Sequence, residues 1–504
     1  MKIFLVLDLK GNKVLVIGLD SGRLDFVRDW AEEGYLPNLR RIINNGVSGV
    51  LMSTYPPITI PAWITFATGK NPAKIGVYGF RTPKPNSYEY DWVKYDAVKD
   101  KRIWDIASDH GRKVGLVHVP LTYPPQKVNG FMVSAFFTPK NADVFTYPPE
   151  LSEEIKRLGY RIGIYYGPPG YDFIGDYLPP ISDEEFLEDI TDVLERRAFV
   201  VTYLMEKYDW DLFIVNYNTL DNLQHWFWRY IDPKHPAYYS KEAKKFKNTI
   251  KEFYKRLDSI IGKMLALTDE ETIVIVFSDH GMGPKPKKCF YVNQWLRDIG
   301  MMKIEKRVEV SGSELPYDKD KGILPDPNCP CGNWNNVKAY WSGIGIVINV
   351  KGRQPKGTVN PGKEYEKVRN LIIHKIQKVR DPDTNKKVVR YAYRREEVYS
   401  GPYIDLAPDI LLELDQEYAC NESMEHETIF GPNKVERLSG VHKREGLLLM
   451  MGPGIGKGVT LEKEAQMVDL APTILSILGI PVPSDMDGKV VSTYKTIRGK
   501  ARSV

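Results

Sequence analysis

Cysteine is scarce in this 504-residue chain, which has 4: Cys289, Cys329, Cys331 and Cys420. So few thiols exclude a disulfide-stapled scaffold, and Cys329-Pro330-Cys331 has one intervening residue where a zinc ribbon needs two. A loop with free thiols and a cytoplasmic location are expected. Long apolar runs are missing as well. No stretch reaches about 18 consecutive apolar residues, so no helical membrane span is expected. The apolar start at residues 4–9 is interrupted by Asp8 and followed by Lys10, which does not suit a signal peptide. Charge of one sign is also lacking. Lys and Arg number 70 against 65 Asp and Glu, a formal net charge of +5; with no long basic run, nucleic acid is not an expected partner. Internal repeats and low-complexity segments are absent. What remains, 42% hydrophobic and 27% charged residues, is the make-up of a globular protein large enough for more than one domain.

One stretch organises the rest. Residues 272–277 are a run of β-branched and aromatic residues that ends in Ser278-Asp279-His280-Gly281-Met282-Gly283. Such a run reads as a strand buried on both faces, hence an interior strand of a parallel sheet. Ligands of open α/β sheets sit beyond the carboxyl ends of such strands. Similar runs occur at 14–19, ending in Asp20-Ser21-Gly22, and at 212–215, followed by Asp221 and His225. Further strands are expected at 47–52, 113–119, 345–350, 388–393, 409–414 and 446–451. Helices are expected at 24–44 with a turn at Leu36-Pro37-Asn38, and at 102–110, 149–158, 183–208, 241–267, 363–379 and 469–478. Residues 75–95 read as loop. Pro61 suits a first helical turn, which puts Ile60 or Thr59 at the cap.

The fold class implied is α/β: a doubly wound, mostly parallel sheet flanked by helices, with an inserted smaller α+β subdomain. The core is expected to be discontinuous, over residues 10–300 and 400–490. Residues 300–400, Lys-rich and punctuated by Gly and Pro, form the inserted part. Residues 121–180, rich in Pro, Gly and Tyr, suit either a lid or a passive surface excursion.

Asp20, Asp221, His225, Asp279 and His280 all follow apolar strands, and His442 precedes one. Asp221 and His225, four apart, would share one helix face. Three carboxylates at one sheet edge repel and are costly to bury as ions, so they call for cations. Asp and His are ligands that zinc and its neighbours accept, and six such residues suffice for two metals. Each residue has a plainer reading. Asp20 and Asp279 could be turn formers, and His225, between Trp226 and nearby aromatics, could be a core histidine. His118 reads as core, while His110, His235, His374 and His426 read as helix-end or loop residues; His235 and His426 are substitutes for His442. Trp63, Tyr78, Phe80, Trp226 and Trp228 could line a pocket, but core packing fits each better. Lys285, Lys287 and Lys288 read as a solvated face.

In their order along the chain, several pieces resemble the alkaline phosphatase superfamily, within it the type I phosphodiesterase/nucleotide pyrophosphatase family. They are Ile17-Gly18-Leu19-Asp20, Pro57-Ile58-Thr59-Ile60-Pro61-Ala62-Trp63, Thr68-Gly69-Lys70, Asp221-Asn222-Leu223-Gln224-His225, Ser278-Asp279-His280-Gly281-Met282, Gly440-Val441-His442 and Val468-Asp469-Leu470-Ala471-Pro472-Thr473. The resemblance implies that Thr59 is the nucleophile and forms a covalent phospho-threonine. It implies that Asp20, Asp279, His280 and Thr59 bind one divalent metal ion and Asp221, His225 and His442 the other. Zinc is expected, with manganese or magnesium as alternatives. The implied substrate is a small-molecule phosphate ester or nucleotide, and the implied function a two-metal phosphodiesterase or nucleotide pyrophosphatase. A phosphomonoesterase or phosphotransferase of the same superfamily is the alternative, and a metal-stabilised binding protein without turnover a more remote one. The sequence departs from the family at Ala62, where nucleotide pyrophosphatases carry an Asn. It departs from sulfatases at Trp63, where their nucleophile motif has an Arg. Oligomeric state is left open by the sequence.

Overall fold

The apolar runs at 14–19, 47–52, 113–119, 212–215, 272–277 and 446–451 all become strands of one sheet. The computed structural model describes residues 13–135, 137–139, 141–163, 181–303, 334–424, 426–433 and 437–492. In chain order the strands of this sheet are β1 (Lys13–Gly18), β2 (Gly46–Met52), β3 (Val114–Val119), β4 (Gly130–Ser134), β5 (Thr146–Tyr147), β6 (Leu212–Asn216), β7 (Thr272–Phe277), β8 (Glu445–Met451), β9 (Val459–Thr460) and β10 (Ala465–Gln466). Their spatial order is β9-β2-β8-β7-β1-β6-β3-β4-β5, with β10 also beside β2. From β7 to β4 every pairing is parallel, while β8 runs antiparallel to both β7 and β2.

Alternation along the strands builds two cores. Leu15 and Ile17 of β1, Phe213 and Val215 of β6, and Val274 and Val276 of β7 join one apolar cluster. Val14 and Val16, Leu212 and Ile214, and Ile273 and Ile275 join the other. Successive side chains point to opposite faces, so both faces of the sheet are covered, and that is why these strands are apolar throughout. Helices Leu24–Glu32, Pro37–Asn44, Asp183–Lys207, Thr219–Phe227 and Thr249–Ala266 contribute to the first core. Helices Thr59–Thr68, Ile103–Asp109 and Leu470–Ile477 contribute to the second. The α/β doubly wound reading therefore holds.

The chain divides into two units. The first, Met1–Asn71, Lys94–Pro284 and Arg437–Val504, holds the sheet and both cores. The second, Pro72–Val93 and Lys285–Glu436, is a smaller α+β body with its own core. It contains an antiparallel sheet in the order Ala339–Trp341, Ile346–Ile348, Ile410–Leu414, Val389–Arg394, and a second sheet in the order Tyr418–Asn421, Lys288–Tyr291, Phe430–Pro432. Helices Val292–Asp298 and Lys363–Ile376 pack with them.

Several local expectations need correction. Residues 75–95 are not plain loop: Arg81–Pro83 pairs with Tyr90–Trp92, and strands this short carry no readable periodicity. The helix expected over 241–267 is two helices, Lys241–Phe246 and Thr249–Ala266, broken at Lys247-Asn248. Thr59 is the first residue of its helix and Ile58 the cap. Of the segment 121–180, β4 and β5 join the main sheet and Leu151–Arg157 is helical; residues 164–180, like Cys329 and Cys331, lie outside the described residues.

Candidate functional site

Three strands of the first unit end at one place. Asp20 follows β1, Asp279 and His280 follow β7, and the helix Thr219–Phe227 that follows β6 carries Asp221 and His225 one turn apart. His442 arrives from far along the chain on strand Gly440–Lys443, which pairs antiparallel with Gly281–Pro284 so that His442 stands opposite Met282. Thr59 enters at the start of helix Thr59–Thr68. Two glycines permit this convergence. A Cβ on Gly18 would lie 2.6 Å from the Trp63 ring, and one on Gly440 would lie 2.6 Å from the carbonyl oxygen of Gln224. The helix bearing Thr59 and the strand bearing His442 can therefore approach only because no side chain stands there.

All seven residues meet. His280 Nε2 lies 3.1 Å from Thr59 Oγ1, 3.3 Å from Asp279 Oδ2 and 3.5 Å from Asp20 Oδ1. Asp221 Oδ1 lies 3.4 Å from His225 Nε2 and 3.3 Å from His442 Nε2, and those two nitrogens are 3.0 Å apart. The rings of His280 and His442 stack at 3.7 Å between centroids, which joins the two groups. His235 and His426, the substitutes for His442, are elsewhere: His235 Nδ1 accepts the Ala237 N–H, and His426 stacks on Tyr291 in the second unit. Trp63, Tyr78, Trp226 and Trp228 are buried as core residues. Lys288 is bound to Asp381 and Asp383, each at 2.6 Å.

The donor set fits divalent cations. His225 Nδ1–H donates to the Gly440 carbonyl at 2.8 Å and His442 Nδ1–H to the Pro57 carbonyl at 3.0 Å. Both Nε2 atoms are thereby left as lone pairs converging on the Asp221 carboxylate, an arrangement that needs a positive charge. The groups Asp221, His225, His442 and Asp20, Asp221, His280 each bring ligand atoms within 4.8 Å of one another. Neither oxygen of Asp279, and not Oδ1 of Asp20, has a hydrogen-bond partner among the described residues, though both side chains are fully buried. Buried carboxylates left open in this way are expected where a cation supplies the missing partner.

The electrostatics say the same. Burial raises the Asp20 carboxyl well above the carboxylate range, and the neighbouring Asp279 and Asp221 charges add to it. Asp279 is pushed up to about 7, first by burial and then by the charge of Asp221. Burial also acts to raise Asp221, but the imidazoles of His225 and His442 outweigh it and hold this carboxyl below its ordinary range. Burial lowers His280 far below an ordinary imidazole. At His442 burial opposes charge and the Asp221 carboxylate overcomes it, so its pKa is raised. A proton on His442 and a divalent cation are thus alternative ways of meeting one need.

Sequence reasoning passed over Asn216, whose Nδ2 donates to Asp20 Oδ2 at 3.3 Å, and Ser21, which touches both Asp221 and His280. Their polar character at strand ends was the available signal, but Asp20-Ser21-Gly22 also reads as a plain turn.

A family model described as Type I phosphodiesterase / nucleotide pyrophosphatase matches residues 14–443. Among solved structures, phosphonoacetate hydrolase from Sinorhizobium meliloti 1021 in complex with phosphonoformate is similar with a TM-score of 0.57 at 16% identity, over 92% of this chain and 95% of that one. Alkaline phosphatase PafA gives 0.56 at 13% identity, over 95% and 98%. Murine ectonucleotide pyrophosphatase / phosphodiesterase 5 gives 0.50 at 16% identity, over 94% and 96%. At these identities the likeness is one of fold. A curated relative, arylsulfatase K of Homo sapiens, is 38% identical over 66 residues, which is 13% of this chain and 11% of that protein's length. Among the described residues no helix is long and apolar enough to cross a membrane.

Proposed function

The chain belongs to the Type I phosphodiesterase / nucleotide pyrophosphatase family, and from that premise we propose that it is a metal-dependent phosphoric ester hydrolase with Thr59 as its nucleophile. The observation that carries this reading is the position of Thr59 Oγ1, 3.1 Å from His280 Nε2, within the Asp20, Asp279 and His280 cluster and at a helix start. Two divalent ions, zinc in this proposal with manganese or magnesium as alternatives, would be held by Asp20, Asp279 and His280 with Thr59, and by Asp221, His225 and His442. When bound they supply Lewis-acid polarisation of the phosphoryl oxygens and make a hydroxyl nucleophilic at neutral pH.

The residues would act as follows. Thr59 Oγ–H gives its proton to solvent water, its oxygen attacks phosphorus in line, and the bond to the leaving oxygen breaks as the phospho-threonine bond forms, the leaving oxygen taking up a proton from water. Water then cleaves that bond, releasing phosphate or a phosphomonoester and restoring the hydroxyl. The amino-terminal end of helix Thr59–Thr68 favours the negative charge of the phosphoryl group. Ala62, buried in that helix, offers no side-chain donor where the family's pyrophosphatases have an amide. Asn216 and the Gly440 and Pro57 carbonyls hold the ligand side chains in orientation. The substrate is a small phosphate ester or nucleotide. A reducing, cytoplasmic location is proposed, in keeping with the free thiols of Cys289 and Cys420.

Hydrolysis of bis-p-nitrophenyl phosphate and of p-nitrophenyl phosphate tests the reading. The diester is expected to be preferred; strong preference for the monoester would move the assignment to a phosphomonoesterase. Thr59→Ala should lower turnover by about 10³-fold or more while metal content stays. Unchanged turnover would remove Thr59 from the mechanism.

A further inference from the structure

Ser21 stands between the two ligand groups. It is fully buried, and its backbone is left-handed at φ 64°, a conformation that costs a residue with a Cβ about 1–2 kcal/mol and glycine nearly nothing. The hydroxyl has two neighbours: Asp221 Oδ1, at a short hydrogen bond, and His280 Nδ1 at 3.1 Å. A carboxylate only accepts, so Ser21 Oγ–H donates to Asp221 and its lone pair is left to accept from His280 Nδ1–H. That fixes the His280 tautomer: the proton sits on Nδ1, and Nε2 presents its lone pair to Thr59, Asp20 and Asp279. The same Nδ1 lies 3.2 Å from the Gly281 carbonyl, a second acceptor for the same proton. The Ser21 carbonyl is itself held, accepting from Gln224 Nε2 at 2.9 Å, and Gln224 is the neighbour of His225. Gly22 N–H donates to the Leu19 carbonyl at 2.7 Å, closing the turn around the strained residue.

We propose that Ser21 is a positioning residue that couples the two cation sites, by joining a ligand of one group, Asp221, to a ligand of the other, His280, through a single hydroxyl. The unfavourable φ is the observation that separates this from a packing role. A turn with no need of the hydroxyl would be more stable with glycine, yet the chain keeps serine there and aims its oxygen at both groups. This inference rests on the two-cation reading above.

The test compares Ser21→Gly with Ser21→Ala. Both remove the hydroxyl, and they differ in backbone preference, since glycine relieves the strain and alanine retains it. Zinc affinity is read by competition with a chromophoric chelator, and unfolding of the metal-free protein by its melting temperature. Both variants are expected to lose roughly tenfold or more in affinity at both sites together, and the metal-free Gly variant is expected to melt above the Ala variant, which keeps the strain. Wild-type affinity in either variant overturns the proposal. So does a loss in Ala that is absent in Gly, which would assign the effect to the backbone. Wild-type protein that binds fewer than two ions defeats the two-cation reading first, and this inference falls with it. Two ions in the wild type and undiminished affinity in the variants defeat this inference alone.

Discussion

Two fully buried aspartates, one in each unit, are treated in opposite ways. Asp409 in the second unit is enclosed by donors: Arg353 Nη1 and Nη2 at 2.8 and 2.6 Å, Tyr365 Oη at 2.8 Å and the Ile348 N–H at 2.6 Å. Asp279 in the first unit has no Arg or Tyr donor on either oxygen among the described residues, and the charge of Asp221 bears on it. Both sit in interiors where an ion is costly. The second unit meets that cost with its own side chains, whereas the first does not. In the proposed reading a divalent cation meets it at Asp279, so that a structural carboxylate is closed by the protein and a ligand carboxylate is kept open.

Breaking Asp279 should have the larger effect on function. Asp279→Asn is expected to lower turnover by about 10³-fold or more and to reduce bound metal. It should also raise the melting temperature of the metal-free protein near pH 8, because a repelling charge is gone. A lower melting temperature would mean that Asp279 supports the fold. Asp409→Ala should do the reverse: it leaves Arg353 without its partner and destabilises the second unit by about 3–5 kcal/mol, with metal content unchanged. Hydrogen exchange across Ile346–Ile348 and Ile410–Leu414 would read this, and loss of metal in that variant would break the contrast.

A smaller effect follows from pH. Asp20 and Asp279 have pKa values raised in the fold, Asp279 to about 7. Their contribution to stability is fully present below the ordinary carboxylate pKa near 4 and is lost as pH rises through the folded values. Set against metal-free Asp279→Asn, the metal-free wild type should therefore lose stability, on the order of a few kcal/mol, between about pH 4 and about pH 8; the buried His280 imidazole acts in the opposite direction in both proteins. Added zinc should flatten or reverse that difference. A melting-temperature difference that holds steady over this range would mean that the carboxylates are partnered after all.

Much of this was legible in the sequence because the physics is local. The runs that became β1, β6 and β7 are apolar without alternation since cores lie on both their faces, and Asp20, Asp221 and Asp279 come directly or shortly after them. The meeting of His442 with Asp221 and His225 was legible only through the order of motifs, since its strand reaches the site by pairing with Gly281–Pro284. The antiparallel entry of β8 has no local signature, because strand direction is decided by the long connection before it. The pair Arg81–Pro83 and Tyr90–Trp92 is too short to show a period. The proposed role of Ser21 was hidden because it depends on a dihedral angle and on two residues some 200 or more positions away.

The carboxyl edge of β1, β6 and β7 is proposed to hold a pair of divalent cations, and elemental analysis of protein purified without chelator would count them. Two equivalents of metal per chain are expected in wild-type protein, reduced in Asp279→Asn and in His442→Ala. One equivalent or none in the wild type, or two that persist in both variants, would contradict it.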